Sequence, residues 1–406
     1  MSFTSADSRW ADVYLAAAGR AISVCGDLLA ATTLALVLQQ SGHGGFAVSG
    51  LLVAATLPVT VLAPLTGRLV DRADSRTLLV LVGLIQALVC AVLAFVAQPV
   101  LIIALVALLG CGLAVTQPTL AALVPRMVRE ADLPRASGVV QTAGQAGMLI
   151  APALAGILVG QAGPRLPLLL SAASYLGLVG IGLFVRTRRG VSAVETVESG
   201  PFRLRDDRIL TVMTVAVAAV VGGVSAINVF EVFFIRETLG ASTTVYGFVM
   251  ASWTVGMVIG SLTFGRLRPH RLTMPLVLSL LAFSCVAVLA GSAVGAAGWL
   301  IPLWIAGGIT NGGLNVCTTV IIASRVPAAS HGRAFAAFTA AIQGAGLTGL
   351  LVAGPLAENF EPRILVAGAG AAGLLAALAC LPLMRSEPPT TPADAGRPEI
   401  RDNVAA

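Results

Sequence analysis

Twelve apolar runs, each about twenty residues or longer, follow one another along the 406-residue chain with short polar breaks between them. A helix of about that length crosses a hydrocarbon core of about 30 Å. Backbone in lipid must satisfy its own hydrogen bonds, which leaves helices or a closed barrel. The runs lack the period-2 alternation of barrel strands, so they read as helices. Charge agrees: 11% of residues are charged and 57% hydrophobic, against about a quarter charged in soluble domains. The expected fold class is an all-α polytopic membrane protein with segments centred near residues 26, 56, 87, 112, 148, 176, 221, 254, 283, 311, 345 and 373. The first run, Val13 to about Leu38, follows "SRWAD" rather than a basic leader and outruns a signal h-region, so it counts as the first spanning helix.

Arginine placement gives the orientation. All 25 basic residues are Arg; 21 lie at the N-terminus, in alternate loops and in the C-terminal tail, three (Arg165, Arg236, Arg363) in the opposite loops, and Arg20 within segment 1. The positive-inside rule then places both termini in the cytoplasm of a multi-pass cell-membrane protein. Arginine without lysine, among abundant Ala, Gly and Val, suggests a high-GC bacterial genome.

The longest polar stretch, 186–208, divides the segments six and six. The expected organisation is a six-helix bundle over 1–185, a cytoplasmic central loop over 186–208, a second bundle over 209–384 and a disordered cytoplasmic tail over 385–406. "PFRLRDDR" at the end of the loop reads as a short interfacial helix. The halves repeat: "VSGLLVAATLPVTVLAPLTGRL" (48–69) matches "VYGFVMASWTVGMVIGSLTFGRL" (245–267), "LAALVPR…LPRASG" matches "IIASRVP…HGRAFA", and "APALAG" matches "AGPLAE". Parallel repeats of six helices are the internal symmetry of one large transporter class.

Several chemistries find no support. The six cysteines are scattered through apolar runs without paired spacing, and the three histidines fall at loops or helix ends, so no metal or nucleophile constellation forms. "GAGLTG" (344–349) and "GAGAAG" (368–373) fit a glycine-rich nucleotide pattern but lie inside apolar helices, where they act as packing faces. With no Walker sequence and no catalytic constellation, the expectation is a protein that is not an enzyme, takes no cofactor and is not driven by ATP. Its expected partners are a small-molecule substrate, protons and the lipid bilayer, not nucleic acid, and it acts as a monomer.

Ionisable groups inside the bilayer are functional candidates by default. Arg20 and Asp27 lie seven residues apart in segment 1, on nearly the same helical face, with Asp27 near mid-membrane. Asp27 is either a proton carrier or a structural acid held by Arg20. In segment 7, Glu231 either faces the central cavity as the counterpart of Asp27 or pairs with Arg236. Gln117, Gln145, Asn228, Asn311, Asn315 and Gln343 are cavity candidates among amides that otherwise bridge helices.

Between segments 2 and 3 the sequence "GRLVDRADSR" packs five charges into ten residues. Gly67-x-Leu69-x-Asp71-Arg72-x-x-x-Arg76 resembles the loop signature G-x-L-x-D-R-x-G-R of the major facilitator superfamily, with Asp74 where the second Gly usually stands. "GQAGMLIAPALAG" (144–156) is similar to the superfamily's antiporter motif in helix 5, carried here by Gly147, Pro152 and Gly156. "GRAISVCGD", "AALVPRMV" and "LPRASG" are similar to the drug and siderophore exporter branch, the macrolide-efflux and enterobactin-exporter-like transporters. The resemblance implies two six-helix halves rocking about a central site. It also implies a cytoplasmic latch built from Gly67, Asp71, Arg72 and Arg76 with Arg126 as partner, in which Asp71 can cap a helix. Two departures stand out: "LLGCG" (108–112) lacks the helix 4 Arg of the drug/proton antiporters, and "GRLRPHR" (265–271) lacks the loop Asp. The expected function is a proton-coupled secondary exporter of a small amphiphilic compound, a drug, antibiotic or siderophore-like molecule. The alternatives are a narrow-range importer or siderophore exporter, and a membrane receptor or assembly factor that does not transport.

Overall fold

The computed structural model describes residues 8–42, 44–72, 74–129, 132–184, 207–268, 271–326 and 331–380. Among them there are only helices and turns. The first six spans are α1 (Trp10–Gln40), α2 (Gly44–Arg72), α3 (Ser75–Leu93), α4 (Pro99–Met127), α5 (Leu133–Ala162) and α6 (Arg165–Phe184). The seventh is broken into α7 (Arg208–Val224) and α8 (Ile227–Phe233), which runs into a π-helical turn at Phe234–Thr238. The last five are α9 (Thr243–Gly265), α10 (Met274–Ser292), α11 (Leu300–Arg325), α12 (His331–Asn359) and α13 (Pro362–Ala379). Twelve helical stretches are long and apolar enough to cross a membrane, as the sequence led one to expect. An even number of crossings puts both chain ends at one face, called here the terminus side; the other is the far side.

Local chemistry sets the helix starts. Asp74 caps α3 by accepting from the Thr77 backbone N–H at 3.2 Å, Asp207 caps α7 through Leu210 N–H at 3.1 Å, and Ser242 caps α9 through Val245 N–H at 3.2 Å. α2 continues through Arg72, so Asp71 lies in its last turn and the acid that caps α3 is Asp74. The central loop up to residue 206, its proposed interfacial helix and the C-terminal tail lie outside the described residues.

The same three helix pairings occur in both halves. In the first, α1 packs on α5, α2 on α4 and α3 on α6; in the second, α7 packs on α12, α9 on α11 and α10 on α13. The pairings correspond span by span, so the sequence repeat is a structural repeat. Two further pairings join the halves, α5 with α9 and α2 with α12, and they too exchange under the repeat.

The buried core is forked. At the far side one continuous cluster joins the halves, including Leu36 and Leu38 of α1, Val48 and Leu51 of α2, Phe230 of α8, Val249 of α9 and Ala353 of α12. Toward the terminus side it divides. One prong, around Val13, Leu79, Leu123, Met127 and Leu178, belongs to the first half; the other, around Met213, Val277, Leu281 and Ile322, belongs to the second.

The three far-side arginines each have a local structural contact. The Arg165 guanidinium lies 5.7 Å from the Phe95 ring centroid, Arg236 donates to the Ala241 carbonyl, and Arg363 donates to the Val294 carbonyl at 3.1 Å while lying over Phe234.

Candidate functional site

Close helix approach builds the site. A Cβ on Gly147 of α5 would fall 2.5 Å from the Ala21 carbonyl oxygen and 3.1 Å from Cys25 N, so glycine lets α5 lie directly on α1. About one and two turns on, Ala151 and Ala155 are fully buried against Leu29. Further still, a Cβ on Gly156 would stand 3.0 Å from the Gly247 Cα of α9 and closer yet to the Thr243 carbonyl. Reciprocally, a Cβ on Gly247 would strike the Pro152 carbonyl. The helix 5 motif thus has two contacts: Gly147 seats α1, and Pro152 with Gly156 forms the far-side junction between halves.

Hydrogen bonds reinforce that junction. Gln39 Nε2 donates to Glu237 Oε1 at 3.0 Å, the Phe46 backbone N–H donates to Glu358 Oε1 at 3.4 Å, and Ser49 Oγ donates to the Leu350 carbonyl. These cross-half bonds among the described residues all sit at the far side.

Asp27 is the eighteenth residue of α1, about 26 Å from Trp10 in a helix about 46 Å long. It lies a little past the middle of the helix. It is half-buried, and its carboxylate accepts a hydrogen bond from the hydroxyl of Tyr175, a fully buried residue of α6. Arg20 lies near enough to interact with Asp27 through space, yet no ion pair joins them. The structural alternative, an acid clamped by Arg20, is therefore not what is found. Tyr175 was missed in the sequence. The available signal was scarcity: the chain has three tyrosines, and Tyr175 falls inside an apolar segment.

Glu231 differs from the expectation that it faces the cavity with Asp27. It lies on α8, beyond the break in its span, and is 4% exposed. Trp304 of α11 and Tyr246 of α9 lie within its electrostatic reach. Arg236, the alternative partner, bonds Ala241 instead. The span is interrupted at Ser225–Ala226, where both residues keep helical dihedrals, and its second part lies in the far-side core.

A cavity of about 410 Å³ lies in the terminus-side part of the first half, between α1, α2, α4 and α5. Arg20, Thr66, Gln117 and Gln141 are its polar residues, among apolar ones such as Leu113, Leu120 and Val140. Gln145, one turn beyond Gln141, is half-buried with its Oε1 unpartnered. The other amide candidates are on the second half: Asn228 is exposed and donates to the Ser225 carbonyl, Asn315 is exposed and donates to Asn311, and Gln343 is exposed. The structure therefore brings Arg20 and Gln117 together and leaves Asn228, Asn311, Asn315 and Gln343 outside that cavity. Of the latch residues, Arg76 is half-buried in the first turn of α3. The side chains of Gly67, Asp71, Arg72 and Arg126 lie outside the described residues.

A broken seventh span, six-helix repeats and a core joined at one side only define a membrane transporter fold. The chain belongs to the major facilitator superfamily family described as "Transmembrane secretion effector", which it matches over residues 13–398. It is 25% identical over 366 residues to the uncharacterized MFS-type transporter YfiS of Bacillus subtilis (strain 168), covering 84% of this chain and 85% of that one. Among solved structures it is similar to the nucleoside transporter NupG, with a TM-score of 0.75, 14% identity and coverage of 92% and 99% of the two chains. A bacterial homologue of the iron transporter ferroportin in its inward-facing state gives a TM-score of 0.73 at 16% identity, covering 93% and 99%.

Proposed function

We propose that the chain is a secondary active exporter, of the drug and siderophore exporter branch, that moves a small amphiphilic compound out of the cell by alternating access with proton entry as the drive. The observation that carries this is Asp27: an acid at mid-depth of the membrane, half-buried, held by a tyrosine hydroxyl and by no ion pair. Such a group is costly in lipid unless it meets a cavity, a partner or a proton. The helix 4 arginine of the drug/proton antiporters is missing, which leaves few other groups at that depth to carry a proton. Each charge moved inward is worth about 2.3 kcal/mol per 100 mV of membrane potential.

Alternating access finds support in the forked core. With the termini in the cytoplasm, a joined far side and a divided terminus side correspond to the state that the ferroportin homologue's description calls inward-facing. The reverse state requires the contacts of Gly156 with Gly247, and of α2 with α12, to part while Asp71 and Arg126 close the cytoplasmic side.

The test is transport by purified protein in proteoliposomes with an imposed pH gradient, using a panel of amphiphilic fluorophores. Gradient-driven accumulation that disappears in Asp27→Asn is expected. Accumulation of the same compounds by Asp27→Asn with unaltered pH dependence would remove Asp27 from the coupling, and Glu231 would be the next residue to test.

A further inference from the structure

We infer that Arg20, Gln117 and Gln141 form a subsite for an acidic group, so that the compound taken up by the cavity is an amphiphilic organic anion. Recognition of the acid follows from the cavity alone; its export rests on the function proposed above.

Among the described residues, Arg20 is the charged one lining the cavity, and no carboxylate lines it; the apolar wall includes Leu113, Leu120 and Val140. Asp27 lies seven residues further along α1, about 10 Å along the helix axis, and takes the Tyr175 hydroxyl instead. Among the described residues, neither an ion pair nor a hydrogen bond occupies the Arg20 guanidinium. A guanidinium presents five N–H donors in a planar fork that matches the two oxygens of a carboxylate or the edge of a phosphate or sulfonate. The Gln117 and Gln141 amides add N–H donors from α4 and α5.

The wall behind Arg20 is shaped to hold it. A Cβ on Gly144 would lie 3.2 Å from Arg20 Cγ and 3.3 Å from Nε, so the bare α5 backbone leaves the arginine stem room to lie flat. A cation within a membrane span is tolerated where it faces a cavity or meets an opposite charge. Here the cavity supplies the first; Asp27 acts on Arg20 only through space, with no ion pair, and a bound anion would supply the close opposite charge. A volume of about 410 Å³ lies within the range of small-molecule pockets, with one cationic corner and a largely apolar remainder. That combination accepts an apolar body bearing one acidic head and disfavours an amine.

Three tritiated probes sharing one aromatic body separate the cases: naphthylacetate, its neutral amide and naphthylethylamine. Binding is measured by scintillation proximity on the full chain in phosphatidylcholine nanodiscs, where no anionic lipid competes. Wild type is expected to bind the acid at least about tenfold more tightly than the amide or the amine, as one charge-assisted hydrogen-bonded pair implies. Arg20→Gln should erase the preference, Arg20→Lys should keep part of it, and Gly144→Val should weaken the acid by crowding the arginine. If Arg20→Gln is poorly folded, Arg20→Lys and Gly144→Val still carry the test. Equal or tighter binding of the amine, a preserved preference in Arg20→Gln, or binding of none of the three would overturn the inference. Counterflow of the same probes in proteoliposomes separates it from the exporter proposal. Acid binding without counterflow would sink the exporter and leave the subsite; counterflow of the amine without acid preference would do the reverse.

Discussion

The Tyr175 hydroxyl donates to the Asp27 carboxylate, tying α6 to α1 near the middle of α1. Tyr175 is fully buried, so the bond is formed away from bulk water, whereas Asp27 keeps a partly open face. A carboxyl group in this position can change protonation while the tyrosine holds its orientation.

Asp27→Asn fixes a neutral group of nearly the same shape. Uphill, gradient-driven transport should be lost, while downhill exchange of substrate continues. Tyr175→Phe removes a single hydrogen bond, worth about 1 kcal/mol net, and should slow uphill transport severalfold without abolishing it. Proteoliposomes assayed with and without a pH gradient distinguish these outcomes. Loss of downhill exchange in Asp27→Asn to the same extent as uphill transport would make Asp27 a structural residue.

The far-side junction gives a second prediction. Gly156 and Gly247 meet backbone to backbone, so Gly156→Val must push α5 and α9 apart. The variant should spend more time open at the far side and expose the Ser49–Leu350 contact between α2 and α12. A cysteine placed at Ser49 in a cysteine-free background should then react severalfold faster with an impermeant maleimide. Unchanged labelling would mean that the junction yields elsewhere and is not the pivot.

Much of this was legible in the sequence because membrane helices announce themselves by length. The twelve spans and the six-plus-six repeat follow from run lengths and matched stretches. What was not legible depends on contacts between distant residues or on small rotations. Tyr175 lies 148 residues from Asp27, and no local pattern pairs them. The break at Ser225–Ala226 sits inside an unbroken apolar run without proline, so it left no mark on hydropathy. The cap of α3 is Asp74 rather than Asp71 because α2 runs through Arg72, a boundary shift smaller than apolar patterning resolves.

That shift separates the two acids of the charged loop. Asp74 accepts from the Thr77 backbone N–H and from Thr77 Oγ1, both at 3.2 Å, which is a structural task. Asn caps nearly as well as Asp, so Asp74→Asn should be almost silent, whereas Asp74→Ala should cost about 1 kcal/mol of stability. Asp71, at the pairing position of the superfamily signature, is the latch acid of the proposed mechanism. Asp71→Asn should reduce expression-normalised efflux far more than Asp74→Asn does. Equal activity in the two variants would reduce the loop to a topological signal.

Orientation decides which state the forked core represents. Of the 25 arginines, 21 fall in the stretches that the sequence assigns to the terminus side, and the three on the far side each hold a carbonyl or lie over an aromatic ring. The exceptions thus have structural reasons of their own, and by the positive-inside rule the excess predicts a cytoplasmic terminus side. Single cysteines at Ser199 in the central loop and at Ala393 in the tail, in a cysteine-free background, should be protected from an impermeant maleimide added to intact cells. Both should react once the membrane is permeabilised, and a cysteine at Ala296, before α11 on the far side, should react in intact cells. The opposite pattern would put the joined core on the cytoplasmic side. The structure would then be open to the outside, and uptake rather than export would become the direction to test first.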